Sequence, residues 1–170
     1  METNGKINAG DIAKGAAAGL IGGLVASFVM NEFQSLWSAL SGSKDQGSGQ
    51  TKQEPSTVKA AAAISEEVFD HQLSESEKAI AGPAMHYAMG GTSGAIYGAL
   101  SELAPAARAG AGLPFGTAVW LVADDVVVPA LGLSKPAAEY PLSTHAYALA
   151  SHLVYGATTE AVRGVVRGVL

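Results

Sequence analysis

Apolar and polar positions divide this chain into four long uncharged runs, set apart by polar breaks and one long charged loop. Residues 15–31 carry no Asp, Glu, Lys or Arg, and neither do residues 79–101, 109–123 or 140–159. Residues 41–78, by contrast, hold eleven of the twenty-five formal charges. A bilayer core about 30 Å thick takes roughly 20 mostly apolar helical residues to cross. The second and fourth runs reach that length. The first reaches it with Asn31 and Glu32 near one surface, the third with Asp124 and Asp125 there. The pattern predicts four transmembrane helices, near residues 13–38, 77–103, 109–132 and 142–166.

Local punctuation agrees. Ser74 and Glu77 have capping-box spacing at the start of the second span. Pro105 follows that span, Gly110 and Pro114 open the third, and Pro129, Gly132 and Pro136 break up its end. Ser143 or Thr144 can cap the fourth, and Pro83 kinks the second or marks its beginning. Residues 41–55 have the composition of a flexible linker. After it, VKAAAAISEEVFDHQ predicts a short amphipathic helix lying on the membrane surface or on the bundle. The expected fold is all-α: one integral membrane domain over residues 1–170, a four-helix transmembrane bundle with that short helix in its first long loop. Lys6 and Lys14 ahead of an apolar run also resemble a signal peptide. Asn31, Glu32 and Trp37 suit a membrane exit better, and the small residues near Ala39 make a poor cleavage site.

Composition sharpens the class. Of 170 residues 48% are hydrophobic and only 15% charged, against about 25% charged in soluble domains. Gly accounts for 21 residues and Ala for 32, so small side chains must dominate the helix contacts. Lipid tails are as apolar as Leu, so helices in a bilayer associate through close backbone approach at small residues. Gly15, Gly19, Gly23 and Ser27 recur at steps of four in the first span. Gly82, Gly90, Gly94 and Gly98 share that spacing in the second, with His86 filling the gap. The third offers Gly112 and Gly116, the fourth Ser151, Gly156 and Ala157. The absence of Cys removes disulfides and thiolate metal sites. A net charge of −5 offers no basic face for nucleic acid. The expected partners are the lipid bilayer and, through an exposed glycine face, a second copy or a larger membrane complex.

Orientation follows from the basic residues. With the N-terminus inside, Lys6, Lys14, Arg108, Arg163 and Arg167 all fall on the cytoplasmic side. The expectation is a multi-pass inner-membrane protein with both termini cytoplasmic.

Ionisable groups within a span are costly and face the bundle interior, which makes each a functional candidate. Counting from the span ends, His86, Asp124, Asp125, His152, Asn31 and Glu32 all fall about 8–15 Å below one surface at 1.5 Å per helical residue. Four helices thus bring polar groups to one layer. Three readings stay open for it: a locked hydrogen-bond network, a proton or ion path, and a metal or haem site on His86 and His152. No cofactor is predicted outright, because no short ligand motif accompanies the histidines. Glu160 and Arg163, one turn apart near the inner surface, predict an ion pair, with Arg108 as a second partner for Glu160 and Arg167 reaching headgroups. Glu67 and His71 stand four apart on an acidic helix face, and Trp37, Tyr87, Tyr140 and Tyr147 are candidate interfacial anchors. GAGLPFG at 110–116 follows no strand, and H-E-x-x-H, P-loop and nucleophile-elbow motifs are absent. Nothing therefore points to an enzyme.

The segments GLIGGLVASFVMNE (19–32), HYAMGGTSGAIYGALSELAP (86–105), VVVPALGL (126–133) and SHLVYGATTEAVR (151–163) together resemble the YagU-like family of small bacterial inner-membrane proteins of unknown function. His86, Pro129, His152 and Glu160 carry most of the resemblance, and Asp124 and Asp125 make this chain more acidic there than the family pattern. The resemblance implies a link to acid tolerance and brings no known reaction; the first function expected is a structural or stress-related membrane component whose polar layer stabilises the bundle. Proton or ion transport is the alternative function, and a metal- or haem-binding subunit a further one.

Overall fold

Glycine and alanine faces, rather than large apolar side chains, decide how this chain assembles. A computed structural model describes residues 7–41 and 54–170. Lys6 and most of the 41–55 linker lie outside the described residues. Five helices follow one another: α1 (Ala9–Ser41), α2 (Ser56–Phe69), α3 (Glu75–Leu103), α4 (Leu113–Ala130) and α5 (Leu142–Val169). The described residues contain no strand. Short 3-10 turns at Pro105–Arg108 and Ala137–Glu139 join the later helices.

Two of these helices, α1 and α4, are long and apolar enough to cross a membrane. The 29 residues of α3 and 28 of α5 supply the length. Their lower apolarity has a local cause: both spend part of their surface on His, Tyr, Ser, Thr and Gly that face other helices.

Helix ends follow the local chemistry. Ser74 and Glu77 form the expected capping box, with Glu77 Oε2 accepting from the Ser74 backbone N–H at 2.8 Å. The third long helix is shorter than the predicted 109–132. Gly110, Ala111 and Gly112 adopt φ of +74°, +53° and +82°, a left-handed turn that the small residues permit and a helix does not. No side chain caps α5. Pro141 precedes its first turn instead of Ser143 or Thr144. The amphipathic helix α2 rests on α3, its Val58 buried against Gly82. Lys78 bonds Glu54 and Glu75 at 2.8 and 2.9 Å beside it. His71, beyond the end of α2, bonds Glu77 at 3.0 Å.

In the bundle α1 packs on α3 and α5, and α4 packs on α5. Gly15, Gly19 and Gly23 of α1 meet Gly98, Gly94 and Gly90 of the antiparallel α3. A Cβ on Gly94 would lie 2.8 Å from Gly23 Cα and collide with the Gly19 carbonyl oxygen. The neighbouring face of α1 uses Gly22, where a Cβ would sit 2.7 Å from the Thr159 carbonyl oxygen of α5. On α5, Gly156 receives Gly112 and Gly116. The largest fully buried side chains are Thr159, Ser27, Ser101 and Ser151. Ser27, Ser151 and Thr159 each donate to a carbonyl one turn back, at 2.9, 2.9 and 2.8 Å, which satisfies the hydroxyl without a partner from another helix.

Gly82 is the equivalent contact for α2, with a Cβ there 2.6 Å from Val58 Cγ2. Gly82→Leu is expected to lift α2 from α3. Amide hydrogen exchange should then speed up across residues 56–69 and stay slow in α3. Unchanged protection of α2 would show that Gly82 does not hold it.

Candidate functional site

The polar layer becomes a cavity. About 670 Å³ of space lies between α1, α3, α4 and α5 at the end where α2 rests, and it is lined among others by Asn31, His86, Asp124, Asp125, His145 and His152. Of the residues expected in this layer, Glu32 is absent. It is exposed, because the face of α1 turned to the cavity carries Ser27, Met30, Asn31 and Gln34, and the next residue points about 100° away.

Asp124 and Asp125 owe their shared orientation to an unusual backbone. Residues Trp120–Val127 form a π-helical stretch inside α4. Pro129, four residues beyond Asp125, has no N–H to offer its carbonyl and a ring that crowds it, so the helix widens there. Both carboxylates then meet α5: Asp124 Oδ2 lies 3.7 Å from His152 Nδ1, and Asp125 Oδ1 lies 3.8 Å from His145 Nδ1. Neither distance is a hydrogen bond. The layer is therefore open rather than locked.

The histidine tautomers can be read from backbone partners. His145 Nε2 lies 3.0 Å from the Ala137 carbonyl oxygen, so this nitrogen carries the proton. In neutral His145 the remaining Nδ1 then presents a lone pair to the Asp125 carboxylate. Two acceptors facing each other call for a proton or cation between them. His152 Nδ1 donates to the Ala148 carbonyl at 2.9 Å, which leaves Nε2 as its acceptor. On the walls, His86 Nε2, Trp120 Nε1 and Tyr147 OH are buried with no hydrogen-bond partner among the described residues. Among the described residues no three His, Asp or Glu side chains converge as a metal site.

The sequence places His145 on one helix face with His152 as a polar stripe but not in the layer, and gives no place there to Trp120, Tyr147 or Tyr155, all of which line the cavity. Spacing was the available signal. His145 precedes His152 by two turns, Tyr155 follows it by three residues, and Trp120 precedes Asp124 by four. Tyr147, expected as an interfacial anchor, is instead buried at 8% exposure against Trp37, ring centroids 5.9 Å apart.

Opposite the cavity lies a closed end. Arg163, 3% exposed, donates from Nε and Nη2 to Glu160 at 2.6 and 2.7 Å. Tyr97 OH donates to the same carboxylate at 2.9 Å, and its ring stacks on Phe115 at 4.2 Å. Arg108 is exposed and leaves Glu160 to Arg163. Arg167 does not reach outward as expected. It bonds Glu102 at 2.8 Å and Asp11 at 3.5 Å, because the start of α1 brings carboxylate within its reach.

A family model described as a protein of unknown function (DUF1440) matches residues 50–161. The chain belongs to this family. The matched segment contains α2, α3, α4 and the part of α5 that holds His145, His152 and Glu160, so three of the cavity's walls lie within it. Helix α1, with its Gly15–Gly19–Gly23 face, lies before it, and Arg163 and Arg167 follow it. No curated protein and no solved structure matches the chain.

Proposed function

We propose that this protein crosses a bacterial inner membrane four times, with both termini cytoplasmic, and that its cavity exchanges protons with the opposite side. The narrower kinship with YagU-like proteins belongs to the same proposal. Support for the membrane comes from an inverted distribution of side chains. Phe28, Ile96, Leu103, Val122 and Val126 point outward at 53–61% exposure, whereas Ser27, Ser151 and Thr159 are wholly buried. A water-soluble bundle would place them the other way round. The lengths of α3 and α5, 29 and 28 residues, give about 40 Å each, enough for a bilayer core. An even number of crossings returns the chain to its starting side, where Lys14, Arg108, Arg163 and Arg167 gather.

The observation that carries the proton reading is the pair of acceptors at His145 Nδ1 and Asp125 Oδ1, 3.8 Å apart in a cavity. A proton shared there can pass to Asp124 and His152 by water or side-chain rotation, the chemistry of carboxylate–imidazole relays in membranes. A second reading, a structural or stress-related component without flux, draws on the Tyr97–Glu160–Arg163 network that closes the other end.

Proteoliposomes containing a pH-sensitive dye separate the two. An imposed pH gradient should collapse faster with the protein than without it. Asp125→Asn, which keeps the shape and removes the proton site, should slow that collapse by about tenfold or more. No protein-dependent flux at any pH, in folded material, leaves the structural reading. Since the chain has no Cys, single substitutions Ser134→Cys and Gly168→Cys report topology cleanly. An impermeant maleimide should label them from opposite sides of the membrane, and labelling from one side would overturn the arrangement.

A further inference from the structure

The cavity has a chemistry of its own beyond proton exchange. Its volume, about 670 Å³, lies in the range of small-molecule sites. Its charged lining residues are Glu54, Asp124, Asp125 and Lys59, so carboxylates outnumber ammonium groups three to one. Glu54 is already held by Lys78 at 2.8 Å. Asp124 and Asp125 lie 3.7 and 3.8 Å from His152 and His145, too far for hydrogen bonds, and among the described residues neither makes a salt bridge to Lys or Arg. Around them stand Trp120, Tyr140, Tyr147 and Tyr155, whose ring faces attract cations. An anion would meet two carboxylates; a neutral polar molecule would leave them without a counter-charge.

We propose that this cavity binds a small organic cation, an amine or quaternary ammonium, with Asp124 and Asp125 as counter-charges and the aromatic rings as its wall. The proposal rests on the cavity described above being open in the folded membrane protein. A fixed positive group there satisfies the same carboxylate pair that a proton would, so protons and organic cations compete for one site.

The test uses the full chain in an uncharged detergent without choline headgroups, with choline as probe in isothermal titration. Its carbon isostere, with tert-butyl in place of trimethylammonium, serves as the neutral control. Choline should bind saturably, and the isostere about tenfold more weakly or worse, a difference of about 1.4 kcal/mol. The double variant Asp124→Asn, Asp125→Asn should lose about tenfold or more. Trp120→Leu should lose several-fold, and Glu67→Gln, outside the cavity, should bind as the parent does. Equal binding of choline and isostere, or undiminished choline binding by the double variant, overturns the proposal. Should the double variant not fold, Trp120→Leu and the isostere comparison on the parent chain still decide. Choline binding without proton flux would remove the proton reading alone, and flux without choline binding would remove this one alone.

Discussion

Gly94→Leu is expected to abolish assembly of the bundle, leaving no monodisperse protein in any detergent that supports the parent chain. The reason is geometric. Even a Cβ at this position collides with the Gly19 carbonyl oxygen and comes within 2.8 Å of Gly23 Cα. Backbone cannot yield as a flexible side chain can, so α1 and α3 must part along their length. Overpacking in a well-filled core costs about 1–3 kcal/mol, and a branched side chain between two backbones should exceed that. In the bilayer proposed for this chain, small-residue contact is also the main attraction between helices, so nothing replaces it. Gly164→Leu is the control: a Cβ there meets nothing within 4 Å. Size-exclusion profiles of the two variants should differ sharply. A monodisperse Gly94→Leu protein with the parent's thermal midpoint would show that the α1–α3 contact is not as drawn.

The second large effect lies at the closed end. Glu160→Ala removes both acceptors of the Arg163 fork and the partner of Tyr97 OH. Arg163 is 3% exposed, so its charge would be stranded among helices. Breaking one side of a buried pair costs about 3–5 kcal/mol, whereas replacing both members by apolar groups of similar volume can be nearly neutral. Detergent-solubilised Glu160→Ala should therefore melt far below the parent, and Glu160→Leu combined with Arg163→Met should regain most of the loss. The double variant also speaks to function. If proton flux survives in it, the closed end is structural; if flux vanishes although the fold is restored, the network belongs to the path. Equal destabilisation of the single and double variants would show that the ion pair is not the source of the effect.

Much of this was legible along the chain. Charge gaps located α1 and α3–α5 to within a few residues, because charged groups are excluded from long apolar contacts wherever they occur. Glycines at steps of four marked the contact faces, since that spacing returns to one side of a helix. Counting residues inward put Asn31, His86, Asp124, Asp125 and His152 at one depth, and one cavity contains them all. The same count included Glu32, which is exposed. Depth is a coordinate along the helix axis, and only rotation about that axis separates Glu32 from Asn31.

Other features required the folded chain. Arg167 looked free to reach outward until α1 brought Asp11 and α3 brought Glu102 beside it. Which nitrogen of His145 carries a proton was decided by the turn at Ala137–Glu139, whose Ala137 carbonyl accepts from Nε2. The π-helical stretch over Trp120–Val127 aligned two adjacent carboxylates with two histidines seven residues apart. By itself, then, the sequence determined helical class, the approximate limits of each long helix and which faces are small, since these depend on local composition and period. Tertiary structure alone decided that Gly19 meets Gly94, that Tyr97 joins the Glu160–Arg163 pair, and that the polar layer is an open cavity. Those outcomes depend on helix rotation and partner choice, which relate residues up to 156 positions apart and leave no periodic trace in the chain.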